Sequence, residues 1–265
     1  MRGVIWIVVL LMPGLAAAED VVVVDGHRIV VTDAVDGVRR LIVDGQEMLQ
    51  GAEVWVQPEP IIVAGEPVMT GVAGAGGNAC NAAPFVLSLK DGPRIWGPVD
   101  SCAYLEPKVQ ADGIVFASEP VPSDPGEVWL WTRAAGFTAA PPQDFAATAG
   151  WDALKGLAGA HPVDAMAIAP VDAALRAGLG EEYPAFAERI SGLGSGDLTA
   201  EGYLGEACLK FTCDADFAVL YLHKATRQVY VIWHVYGEVK NRIFPADMTT
   251  WPPEATAALR SKVGE

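Results

Sequence analysis

The sequence is short of positive charge. Its 265 residues hold 18 lysines and arginines against 33 aspartates and glutamates, a formal net charge of −15 at pH 7. The shortage is shared along the chain. Residues 19–138 carry 17 acids and 7 bases, and residues 139–265 carry 16 acids and 10 bases. A surface of that sign repels phosphate backbones and anionic lipid, which argues against nucleic acid as a partner. A cationic protein suits it, and solubility alone would explain it as well. Long apolar runs are missing beyond residue 18, so no membrane insertion is expected of the mature chain. Cysteine is limited to positions 80, 102, 208 and 213, and histidine to 27, 161, 223 and 234.

The chemical motifs that are missing narrow the function further. There is no Cys-x-x-Cys, so dithiol redox chemistry lacks its usual spacing. The four histidines show no ligand spacing, and a lone Cys-x4-Cys cannot supply four zinc ligands. The glycine-rich AGAGG at 73–77 has neither the lysine of a phosphate loop nor a dinucleotide fingerprint, and it reads as a turn before Cys80. No Gly-x-Ser-x-Gly is present, and Asp100-Ser101 reads as a loop beside Cys102. Asp214 and Asp216 have no further oxygen ligands in register for calcium and read as a solvated turn. Trp129 and Trp131 alternate on one strand face and suit core packing better than sugar stacking. No cofactor or metal is expected, and the chain reads as a binding protein rather than an enzyme, although a hydrolase with dispersed carboxylates stays open as an alternative.

What is present begins with an export signal. Arg2, the apolar run Val4 to Met12 and the small residues Ala16-Ala17-Ala18 form a cleavable leader, with the cut expected after Ala18. The expected destination is the periplasm or the exterior. An oxidising compartment favours disulfides. Four cysteines allow three pairings. The sequence-local one, Cys80–Cys102 with Cys208–Cys213, keeps each bridge in its own half and is the expected arrangement. Loop-closure entropy gives such bridges ~3 and ~2 kcal/mol.

Two domains are expected after the leader. Residues 19–138 read as all-β, a sandwich or twisted barrel. Asp-Gly pairs at 36–37, 44–45, 91–92 and 112–113 punctuate short apolar runs, the sequence mark of hairpins. AAPPQD at 139–144 reads as a break. Residues 139–265 then read as α+β, helices packed on an antiparallel sheet. Trp151, Leu154 and Ala158 share a helical face, as do Val171, Leu175 and Leu179, and then Tyr183, Phe186 and Ile190. GLGSGD at 192–197 reads as a flexible loop. Strands follow in GYLGEA, DFAVLYL, QVYVIWHVY and NRIF, and a short helix closes the chain at PPEATAALRSK. The QVYVIWHVY strand is apolar on both faces, as a central strand covered on each side would be.

One run in this half carries a family likeness: ACLKFTCDADFAVLYLHKATRQVYVIW, with Cys208, Cys213 and then Ala218, Val219, Leu220 and Tyr221. It resembles the inhibitor of vertebrate lysozyme family, over roughly residues 150–250, and LGEEYPAF at 179–186 resembles the helices before the cysteine loop in its bacterial members. The first half resembles no characterised family. The resemblance implies a periplasmic protein whose disulfide-closed loop enters the cleft of a c-type lysozyme. In the family that loop reads lysine, proline, histidine, aspartate, and the histidine meets the catalytic carboxylates. Here the loop reads Leu209, Lys210, Phe211, Thr212. Phe211 stands at the histidine position and Thr212 at the aspartate position. A phenyl ring cannot hydrogen-bond a carboxylate, and Lys210 offers a flexible point charge instead. The expectation is a partner-binding loop, Cys208 to Cys213, with weak or altered inhibition. The remaining alternative is an envelope protein that keeps the fold without inhibiting.

Overall fold

A computed structural model describes residues 20–263 apart from 33, 78 and 79. The leader and its cut after Ala18 lie outside the described residues. The chain divides into two compact units. One takes the residues up to Ser118 with Val128–Ala140, and the other takes Glu119–Glu127 with the chain from Pro141 onward.

The first unit is all-β and consists of three antiparallel sheets. β1 (Asp20–Val24), β2 (His27–Val31), β3 (Arg39–Val43) and β4 (Gln46–Gly51) form a meander. β5 (Glu53–Val56), β7 (Glu66–Gly74), β8 (Ala83–Ser88) and β9 (Arg94–Trp96) form the second sheet, with β6 (Ile61–Val63) also paired to β7. β10 (Glu106–Val109), β11 (Gly113–Ala117), β12 (Gly126–Thr132) and β13 (Gly136–Gln143) form the third. Strand alternation explains the layering. Met69, Phe85 and Leu87 point into a core with Ile29, Leu41 and Val43 of the first sheet. Their neighbours Val68 and Val86 point the other way, into a core with Ile114, Phe116 and Trp131 of the third. The sandwich therefore has three sheets, with the second in the middle, and β8 is buried along its whole length. Trp131 is 1% exposed and Trp129 packs beside the same core, so both are core residues.

The Asp-Gly pairs do what their chemistry allows. Asp25, Asp36, Asp44 and Asp91 have φ of 51°, 54°, 51° and 61°, and the glycines after them are also positive. At Asp25, Asp36 and Asp44 paired positive φ is the primed turn that matches strand twist, whereas Asp91 and Gly92 lie in the longer β8–β9 loop, where Gly92 N–H donates to Leu89 O at 3.2 Å. At 112–113 the turn is shifted by one residue: Gln110 N–H donates to Gly113 O at 2.9 Å, and Gly113 already belongs to β11. AAPPQD straddles the boundary between the two units, with Ala140 in the first and Pro141 in the second. Its first five residues extend β13, an edge strand, the place in a sheet where proline is tolerated.

The second unit is α+β. α1 (Ala169–Leu179) and α2 (Tyr183–Ile190) precede a five-stranded meander of β14 (Leu193–Leu198), β15 (Gly202–Cys208), β16 (Phe217–His223), β17 (Gln228–His234) and β18 (Arg242–Phe244), and α3 (Pro253–Val263) follows. Val171, Leu175, Phe186 and Ile190 meet Leu220, Leu222, Val231 and Trp233 on one face of the sheet. Tyr221, Tyr230 and Ile232 meet Trp251, Ala255 and Leu259 on the other. β17 is thus covered on both sides, as its unbroken apolar run requires. Two segments differ from expectation. Trp151–Gly156 is a 3-10 turn rather than an α-helix. GLGSGD is largely β14, whose glycines let the Tyr203 ring of β15 lie against the strand at Gly196.

Candidate docking site

The Cys208–Cys213 loop sits where β15 ends and β16 begins. The structure joins Cys208 to Cys213 with Cα atoms 4.8 Å apart, and Cys80 to Cys102 at 4.6 Å. Within the ring, Thr212 N–H donates to Leu209 O at 3.1 Å, closing a four-residue turn, and Ala215 N–H donates to Thr212 O at 2.8 Å. Leu209 N–H reaches Asp216 O at 3.0 Å and carries the β15–β16 ladder past the cysteines. Leu209 and Thr212 are half-buried, whereas Lys210, Phe211 and Cys213 are exposed.

Phe211 is the extreme residue. It is 86% exposed, and its φ is +74°. A phenyl side chain in the left-handed region carries backbone strain of ~1–3 kcal/mol, which persists only where surrounding bonds over-determine it. The bridge and the Thr212–Leu209 bond do so here. Lys210 Nζ lies 5.4 Å from the centre of the Phe211 ring, within cation–π reach.

A buried ion pair fixes the base of the loop. Asp216 is 7% exposed and accepts from Arg189 Nη2 at 2.6 Å. Arg189, on the buried side of α2, also donates from Nε to His234 O at 2.9 Å and from Nη1 to Ala185 O at 2.6 Å. The second Asp of the supposed solvated turn is therefore a structural anchor. Sequence reading missed it because its partner lies on another element. The available signal was Arg189 itself, a charge placed between the buried residues Phe186, Ala187 and Ile190.

Asp216 also ties in a neighbouring loop. Its Oδ1 accepts from Tyr236 N–H at 3.4 Å, in the connection between β17 and β18. That connection exposes Tyr236 (69%) and Val239 (96%). His234 Nδ1 meets Asn241 Oδ1 at 3.0 Å, and Arg242 Nε donates to Glu238 at 2.9 Å, a bond that raises the guanidinium pKa further. Register places Leu193 opposite Cys208, Cys208 opposite Phe217, and Phe217 opposite His234, so these residues cross one end of the sheet in a row. Leu193, Phe211, Tyr236 and Val239 all belong to that end. Among the described residues they are the large exposed apolar side chains of this unit. Sequence reading named Phe211 alone.

The remaining histidines and acids have local roles. His27 pairs with Asp44 at 2.6 Å, which lowers the Asp44 pKa, and His223 meets Thr226 at 2.7 Å. His161 bonds Gly192 O at 2.9 Å. Among the described residues no group of three or more His, Cys, Asp or Glu is placed to hold a metal.

Known proteins share both units. The protein y4bG of Sinorhizobium fredii is 34% identical over 230 residues, covering 84% of this chain and 83% of the relative. The chain belongs to the y4bG family. Residues 25–143 match the Y4bG N-terminal domain, which has no functional name. Residues 170–265 match the inhibitor of vertebrate lysozyme (Ivy) family. No solved structure matches the chain. The second unit of this y4bG-family chain is a lysozyme-inhibitor-like module, and the disulfide loop lies within the matched residues. Among the described residues no helix is long and apolar enough to cross a membrane.

Proposed function

We propose that this y4bG-family protein is exported and docks on a c-type lysozyme or a close structural equivalent. The Cys208–Cys213 loop enters the partner's cleft, with Phe211 as its apolar anchor and Lys210 beside it. The protein works by occlusion and is not itself an enzyme. One observation carries this reading: Phe211 stands 86% exposed at the tip of a bridged turn, in a backbone conformation a phenylalanine rarely adopts. A large apolar side chain held in water at a local cost is what a binding anchor requires. Preorganisation by the bridge saves ~0.5–1.5 kcal/mol of ordering per immobilised side chain on association. The family match and the net charge of −15, which steers cationic proteins toward the molecule, support the same partner.

Inhibition is expected to be weak, because Phe211 gives the partner's carboxylates no donor. Phe211→His restores one. A hydrogen bond to a charged group contributes ~1.5–3 kcal/mol, so the half-inhibitory concentration should fall about tenfold or more. Hydrolysis of cell-wall substrate by a c-type lysozyme, with wild type and Phe211→His titrated in, measures this. Potent wild-type inhibition would overturn the proposed loss of strength. No inhibition by either form would remove lysozyme as the partner.

A further inference from the structure

The end of the sheet away from the disulfide loop holds a second feature. A cavity of about 490 Å³ opens between the 3-10 turn Trp151–Gly156, the β14–β15 connection and the β16–β17 hairpin. Lys155, Lys224 and Arg227 stand around it, and Trp151, Leu154 and Leu198 supply apolar wall. Asp152 is the one carboxylate in the lining. Residues 139–265 are acidic as a whole, yet here three cations converge on one opening. The other arginines of this unit with described side chains are neutralised: Arg176 by Asp172, Arg189 by Asp216, and Arg242 by Glu238 and Glu182. Lys155, Lys224 and Arg227 have no carboxylate within ion-pair distance among the described residues. Three cations against one carboxylate leave the opening with an excess of positive charge, and a bound anion would relieve it.

We propose that this cavity binds an acidic saccharide. Trp151 is half-buried, packs against the helix-side core and also lines the cavity. A flat aromatic face suits the apolar face of a sugar ring. Arg227 offers a planar fork for a carboxylate, and Lys155 and Lys224 add point charges. Asp152 can accept from sugar hydroxyls. The volume falls within the ~300–1,000 Å³ usual for small-molecule sites. A bare anion would leave the apolar wall unused, and a neutral sugar would leave the cations uncompensated. The net charge of the chain disfavours long nucleic-acid polyanions. The site is separate from the docking loop, so it stands whether or not lysozyme is the partner.

Isothermal titration of the full mature chain tests it, with four probes: trigalacturonate, N-acetylmuramic acid, neutral chitotriose and inorganic phosphate. At least one acidic sugar should bind, more weakly as salt is raised, with chitotriose and phosphate about tenfold weaker or worse. The two acidic probes distinguish a uronate from a lactyl-ether sugar. Combined Lys155→Gln, Lys224→Gln and Arg227→Gln, all at exposed positions, should abolish binding without changing the circular dichroism. Lys108→Gln, on an exposed strand of the first unit, should leave binding intact. Absence of binding by both acidic sugars, equal binding of phosphate, or equal loss in Lys108→Gln would each overturn the proposal.

Discussion

Asp216 and Arg189 show how one residue can hold a surface it does not belong to. Their ion pair is buried, and Arg189 also donates to backbone carbonyls of α2 and β17 and to the more exposed Glu188 carboxylate at 3.3 Å. Removing one partner of a buried pair costs about 3–5 kcal/mol, and the solvent-facing Glu188 compensates Arg189 only weakly. Asp216→Ala should therefore lower the urea-derived stability by that amount. Asp216→Asn, which keeps an acceptor oxygen, should lose less. A loss under about 1 kcal/mol for the alanine variant would mean the pair is not buried in solution. Nothing near Asp216 in sequence announces this role. Phe211 was legible because the bridge that frames it is written in the spacing of Cys208 and Cys213. The exposure of Tyr236 was not, since it continues an apolar strand pattern past His234, where β17 ends, and Val239 lies in the connection beyond.

Elements reveal themselves when their local chemistry is obligatory. Asp-Gly turns demand positive φ, so the hairpins of the first unit could be read directly. Helices α1 and α2 could be read because Val171, Leu175, Leu179, Phe186 and Ile190 must share faces. Glycine misled where tertiary pairing overrode it: GLGSGD became β14 because β15 supplies its ladder. Glycine has a second use in α1. A Cβ on Gly178 would overlap the Phe244 ring of β18. Helix propensity alone predicts that Gly178→Ala stabilises by ~1 kcal/mol. The packing predicts the opposite, a loss of about 1–3 kcal/mol from overfilling. Thermal or urea denaturation of this variant decides between them, and a gain in stability would show that Phe244 can move aside.

At the scale of the molecule, each unit carries its own cores. The two clusters of the second unit draw on residues from Phe145 onward. We therefore propose that residues 139–265 fold without the all-β unit. Expressed alone under oxidising conditions, they should give a cooperative unfolding transition with near-ultraviolet circular dichroism from buried Trp233 and Tyr203. A product with secondary structure but no near-ultraviolet signal would count against it.

The loop between Cys208 and Cys213 is clamped from below by a covalent bond and a buried charge pair, while the side chains of Lys210 and Phe211 face outward. Mutational drift at these two tips is thereby insulated from folding. A lineage can rewrite the tip residue by residue as its target changes, with no compensating change in the core. For the protein engineer the same insulation makes positions 210 and 211 a small library that can be randomised on a scaffold already settled.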